Sequence, residues 1–141
     1  MNETILKFGY PGSLIADFDH WVVLLRPAQA TLGATVLAAK SDVTNFADLE
    51  PAAFAELSPI TRQIESALVD LFSYKKINYL MLMMVDPHVH FHVLPRYDGA
   101  RSYSATSFED PGWPAVPNLG HNNPLPDAKR ANLLADIKSR F

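Results

Sequence analysis

Residues 86–96, Asp86-Pro87-His88-Val89-His90-Phe91-His92-Val93-Leu94-Pro95-Arg96, alternate three histidines with three apolar side chains and close on a proline. Alternation over this length is the period of a half-buried strand. Val89, Phe91 and Val93 then share one face, and His88, His90 and His92 share the other. Side chains on one face of a strand recur about every 6.6–7 Å. A core has little use for three imidazoles at that pitch, because each ring brings two nitrogens that need partners when buried. The run calls for rings presented side by side at the floor of a pocket.

Two uses of such a row are chemically distinct. A metal ion can be shared by histidines at i and i+2, here His88 and His90. His88 and His92, however, lie about 13 Å apart along a strand, too far for one ion with metal–nitrogen bonds of about 2.0–2.1 Å. The second use is nucleophilic. A neutral imidazole attacks phosphorus or an acyl carbon, and a covalent intermediate splits one difficult displacement into two easier ones. The middle ring, His90, is flanked on both sides and is the candidate nucleophile. His92 is placed to bind phosphoryl oxygens and protonate a leaving group, and His88 to orient its neighbour. A carboxylate often orients a catalytic histidine, and Asp86 is a candidate to do so for His88.

The rest of the chain limits what surrounds this row. With 141 residues, 48% of them hydrophobic, there is material for one domain with a real core. The net charge of −3, without a block of like charges, argues against binding a nucleic-acid polymer through a basic face. The absence of cysteine removes disulfides and thiolate chemistry and is compatible with a reducing cytoplasm. No basic leader and no membrane-length apolar run is present, so no membrane partner is expected.

The pattern His88-x-His90-x-His92-x-x-Pro95 resembles the signature of the histidine-triad (HIT) family of nucleotide hydrolases and transferases. Lys76-Ile77-Asn78, Arg96-Tyr97 and Trp113-Pro114-Ala115-Val116-Pro117 resemble flanking features of one bacterial branch, and the likeness spans about residues 10–120. The resemblance implies an α+β domain and a homodimer. It implies attack by His90 on the α-phosphorus of a nucleoside phosphoramidate or dinucleoside polyphosphate, through a nucleotidyl-histidine and without a cofactor or metal. Asn78, in the branch's Lys-x-Asn element, is implied as a phosphate or ribose contact. A nucleotide-binding or sensor protein that kept the triad without turnover is the alternative, and a metal-dependent hydrolase using His88 and His90 a further one.

Three positions depart from that pattern. Ala34, in Leu32-Gly33-Ala34, stands where many members carry a supporting histidine. Arg26 stands where many carry an Asn or Asp that accepts bonds from ribose hydroxyls, which a cation cannot do. Met84 replaces a Gln or Asn near the leaving group, and its sulfur donates nothing. Together they imply an altered substrate range, and Arg26 suits an extra phosphate or acidic substituent.

In chain order, residues 1–19 read as a lead-in with a turn at Tyr10-Pro11-Gly12 and a short strand about Leu14–Asp17. Residues 20–26 and 32–40 read as paired buried strands. Phe54, Leu57, Ile60, Ile64, Leu68 and Leu71 form a helical stripe, and Pro59 predicts a break. The expectation is a short helix over about 51–57, then a longer one capped by Ser58 and ending near Tyr74. Ile77–Val85 reads as a buried strand. Residues 97–126, rich in Pro and Gly, read as irregular but packed, with Trp113 walling a base pocket or sealing the domain edge. A helix over about 127–141 presents Leu133, Leu134, Ile137 and Phe141. The expected architecture is one domain of residues 1–141, α+β, with an antiparallel sheet of about five strands on one long helix and a short C-terminal helix added.

Overall fold

A computed structural model describes all residues 1–141. Its centre is a five-stranded antiparallel sheet of β1 (Leu14–Asp17), β2 (Trp21–Leu25), β3 (Thr35–Ala39), β4 (Lys76–Leu80) and β5 (His90–Arg96), in spatial order β1-β2-β3-β5-β4. Three helices accompany it: α1 (Glu3–Lys7), α2 (Pro51–Phe72) and α3 (Asp127–Lys138). The architecture is α+β, with the long helix and short C-terminal helix expected from the apolar spacing. β5 pairs with β3 on one side and β4 on the other, so the histidine strand lies inside the sheet.

The two sheet faces divide the core. On one side Trp21, Val23, Leu25, Leu37, Ala39 and Val93 pack with Ile60, Ile64, Leu68 and Phe72 of α2, and with Leu133 and Ile137 of α3. On the other, Val22, Leu24, Val36 and Ala38 pack with Ile5 of α1. The register sets His90 against Ala38 and His92 against Val36 and Leu80, so both histidines belong to this second, thinly covered face. α3 rests on α2 and β1.

Helix α2 runs unbroken through Pro59, against the expected interruption. Ala55 and Pro59 are both exposed, so water can serve the carbonyl that lacks its N–H donor. The buried stripe Ala53, Ile60, Ile64, Ala67, Leu68 and Phe72 continues across the site and holds the helix together. Strand β4 is shorter than the apolar run suggests. It ends at Leu80, and Leu82, Met84 and Val85 are exposed in the loop leading to β5.

Two elements were not foreseen. α1 lies in the lead-in, capped by Asn2 Oδ1, which accepts from the Ile5 amide at 3.0 Å. A hairpin of β6 (Arg101–Tyr103) and β7 (Thr106–Phe108) lies within the Pro- and Gly-rich stretch. Its turn holds Ser104 and Ala105 at φ of 51° and 56°, values usually met by Asn-Gly.

Candidate active site

His90 and His92 stand next to each other on one face of β5, ring centroids 5.1 Å apart, and both are buried. His90 Nδ1 lies 2.7 Å from the carbonyl oxygen of His88. A carbonyl only accepts, so Nδ1 carries the proton and the neutral ring keeps its lone pair on Nε2. A tautomer with a free Nε2 is what a nucleophilic imidazole requires. Phe8, at the C-terminal end of α1, lies against both rings, with centroids 5.6 and 5.7 Å away.

His88 precedes the strand and its ring turns toward α1. Its Nδ1 meets Thr4 Oγ1 at 2.9 Å, while its carbonyl orients His90. Asp86 does not reach His88. It pairs instead with Lys7 Nζ at 2.6 Å, tying the loop before β5 to the end of α1. No group of three His, Asp or Glu side chains is arranged to hold a metal ion.

His92 has a different neighbour. Arg26, one residue past β2, turns inward and directs Nε at His92 Nδ1 across 3.4 Å. Acceptance at Nδ1 puts the proton of the neutral ring on Nε2, where it can donate to a ligand. Burial, the Arg26 charge and His90 lower the His92 pKa to about 4, with Asp86 pulling it partly back. His92 is thus neutral near pH 7, suited to hydrogen-bonding a phosphoryl oxygen and ill suited to delivering a proton as imidazolium.

The turn carrying Arg26 is fixed from within. Gln29 Nε2 donates to the carbonyls of Arg26 and Ala34 at 2.8 and 2.9 Å, and Gln29 Oε1 accepts from the Gly33 amide at 3.0 Å. Gly33 sits at φ 85°, and a Cβ there would come within 2.9 Å of the Phe72 ring. Asn123, buried, donates to the Gln29 and Glu109 carbonyls and holds the irregular tail against this turn. The same tail brings the Leu119 carbonyl to 3.4 Å from Arg26 Nη2.

A cavity of about 210 Å³ is walled by Phe8, Arg26, His90, His92 and the loop from Leu82 to Asp86. A larger groove, about 980 Å³, runs over β4 and residues 113–117. Asn78 and Arg96 lie there, not in the imidazole cavity. Asn78 Oδ1 accepts from Arg96 Nη1 at 2.7 Å, and Arg96 also forms a two-point pair with Asp110 at 2.7 and 3.1 Å. Trp113 lines this groove, its ring centroid 6.0 Å from Arg96 Cζ, and has no part in the wall of the imidazole cavity.

The HIT domain family model matches residues 8–99, which include all three histidines of the row. This chain belongs to the HIT domain family. Solved structures give the same fold. A histidine triad protein from Sinorhizobium meliloti is 22% identical, with a TM-score of 0.77 over 100% of this chain and 96% of its own. One from Marinobacter aquaeolei is 20% identical, with a TM-score of 0.75 over 99% and 93%. A hypothetical histidine triad nucleotide-binding protein from Sulfolobus tokodaii is 16% identical, with a TM-score of 0.69 over 97% and 88%. HIT membership supports nucleotide-binding or hydrolase-type function in general. No helix is long and apolar enough to cross a membrane.

Two contributors to the site escape sequence reasoning. Thr4 and Phe8 come from a helix too short to show a period; the cap-and-charge pattern Asn2, Glu3, Lys7 was its available signal. Met84 stands at the cavity rim with 84% of its surface exposed, so the polar group absent from the sequence is absent from the cavity wall as well.

Proposed function

We propose that this HIT protein is a nucleotide hydrolase or transferase acting through a nucleotidyl intermediate on His90. The observation that carries this is the 2.7 Å contact from His90 Nδ1 to the His88 carbonyl, which leaves Nε2 unprotonated in a ring lining a cavity. Nε2 attacks the α-phosphorus of a nucleoside phosphoramidate or dinucleoside polyphosphate. The N–P bond forms as the bond to the leaving amine or phosphate breaks, and the leaving group takes its proton from solvent. Water, or another acceptor, then adds to phosphorus, the N–P bond breaks, and the electron pair returns to His90. His92 donates from Nε2–H to a phosphoryl oxygen, and His88 positions the nucleophile through its carbonyl. Asn78 has its carbonyl committed to Arg96, so only its Nδ2 donors are offered to a nucleotide lying along the groove. We further propose a cytoplasmic homodimer as the working form, on the family resemblance alone.

The exposed, apolar Met84 at the rim favours a second reading, a nucleotide-binding protein without turnover. Intact-mass spectrometry after acid-free quenching, with a panel of nucleoside phosphoramidates and dinucleoside polyphosphates, separates the two. The enzyme reading expects a nucleotidyl mass increment that disappears in His90→Ala. Full activity of His90→Ala on a fluorogenic phosphoramidate would refute the mechanism, and binding with no increment would select the second reading.

A further inference from the structure

Two arginines approach the histidine face of the sheet, and they are paired differently. Arg96 is matched by the carboxylate of Asp110 and the Asn78 carbonyl. Arg26 has no carboxylate partner at all. Its one full-strength bond runs from Nη1 to the Ala28 carbonyl at 2.7 Å, within its own turn. Its contacts to His92 Nδ1 and the Leu119 carbonyl are both long, at 3.4 Å. Of the charged groups around the cavity, Lys7 and Asp86 neutralise each other at 2.6 Å, and the two imidazoles bring no negative charge. Arg26 is therefore a half-buried cation facing a cavity with no carboxylate to balance it, a costly arrangement for a desolvated charge.

We propose that Arg26 forms a second anion subsite beside His90, so that the preferred substrate carries another negatively charged group next to the phosphorus under attack. The guanidinium fork offers planar, two-point recognition of a phosphate or carboxylate, and the Gln29 and Asn123 contacts hold its turn rigid. The cavity, about 210 Å³, is smaller than a pocket for a whole drug-sized ligand. It suits two adjacent charged groups, with the remainder of the substrate lying outside. Desolvation lowers the Arg26 pKa, in keeping with a charge that lacks a partner. This inference rests on phosphoryl chemistry at His90, but its test uses small ions and needs neither turnover nor a nucleotide.

The experiment is calorimetric titration of the wild-type protein, Arg26→Gln and Arg26→Lys with orthophosphate, pyrophosphate and phosphonoacetate. Wild type should bind pyrophosphate about tenfold or more tighter than orthophosphate, Arg26→Gln should lose most of that preference, and Arg26→Lys should keep part of it. Phosphonoacetate binding like pyrophosphate admits carboxylates as the second group; weaker binding restricts it to phosphates, and either supports the subsite. Should Arg26→Gln fold poorly, the Arg26 Nε–H signal of the wild type is followed by NMR, and it should move with pyrophosphate and not with orthophosphate. A wild type without the preference, an Arg26→Gln variant that retains it, or an unresponsive Nε–H overturns the proposal. Ion discrimination that follows Arg26, with no adduct ever found on His90, would instead fault the catalytic reading.

Discussion

Asp110→Ala offers the sharpest stability test. Its side chain is 0% exposed and that of Arg96 4%, so the pair lies out of water. The carboxylate accepts from Arg96 Nε and Nη2 and from the Tyr97 amide at 3.1 Å. Removing it leaves a buried guanidinium with the Asn78 carbonyl as its remaining side-chain acceptor and strips the Tyr97 amide of its partner. Breaking a buried pair from one side costs about 3–5 kcal/mol, a large part of the roughly 5–15 kcal/mol that holds a domain folded. With a urea slope of about 2 kcal/mol/M, the midpoint should fall by about 2 M. Arg96→Met with Asp110→Leu should recover most of the loss, since no charge is then left stranded. The assay is urea unfolding followed by circular dichroism. A single variant within about 1 kcal/mol of wild type, or a double variant no better than the single, would refute the claim that desolvation dominates here.

Two shorter predictions follow from other contacts. The His92 pKa is lowered from 6.5 to about 4, so between those values the unfolded chain binds a proton that the folded chain refuses. Stability present above about pH 6.5 is therefore lost as pH falls toward 4, by at most about 3 kcal/mol and by about 1–2 after solvent screening on the cavity side. Wild type should lose more than His92→Gln between pH 7 and 4.5 in urea titrations, and equal losses would remove His92 as the cause. Pro59→Ala should stabilise α2 by about 1–2 kcal/mol, the helix-interior penalty of proline less the freedom regained by the unfolded chain. An unchanged or lower melting temperature would mean that Pro59 is better accommodated than its position implies.

The pairing of His90 with His92 was legible because β5 lies between two neighbours with one face on the core, and period-two alternation then fixes which side chains meet. The third ring does not follow the alternation: β5 starts at His90, so the His88 side chain turns to Thr4 instead of joining the other two at the cavity. The end of β4 was not, because Leu82, Met84 and Val85 continue the apolar composition of the strand while standing in solvent. Pro59 misled because a proline is tolerated where the freed carbonyl faces water, and composition does not say which face that is. The β6–β7 turn uses Ser104 and Ala105 where glycine would have announced it. The inward course of Arg26 depends on Leu119 and Asn123, more than 90 positions away, and no local pattern encodes it.

Helix α1 bears on the order in which the site is assembled. Its five residues are far too few to hold a helical shape alone. Asn2 donates to the carbonyls of Ala39 and Ser41, and Thr4 waits for a partner 84 positions later. Those contacts exist only once β3 and β5 have paired, so the helix docks on a sheet already formed beneath it. Were the helix to lift away, the excursion would expose Ile5, unseat Phe8 and release the His88 ring while the strand pairing beneath stayed whole.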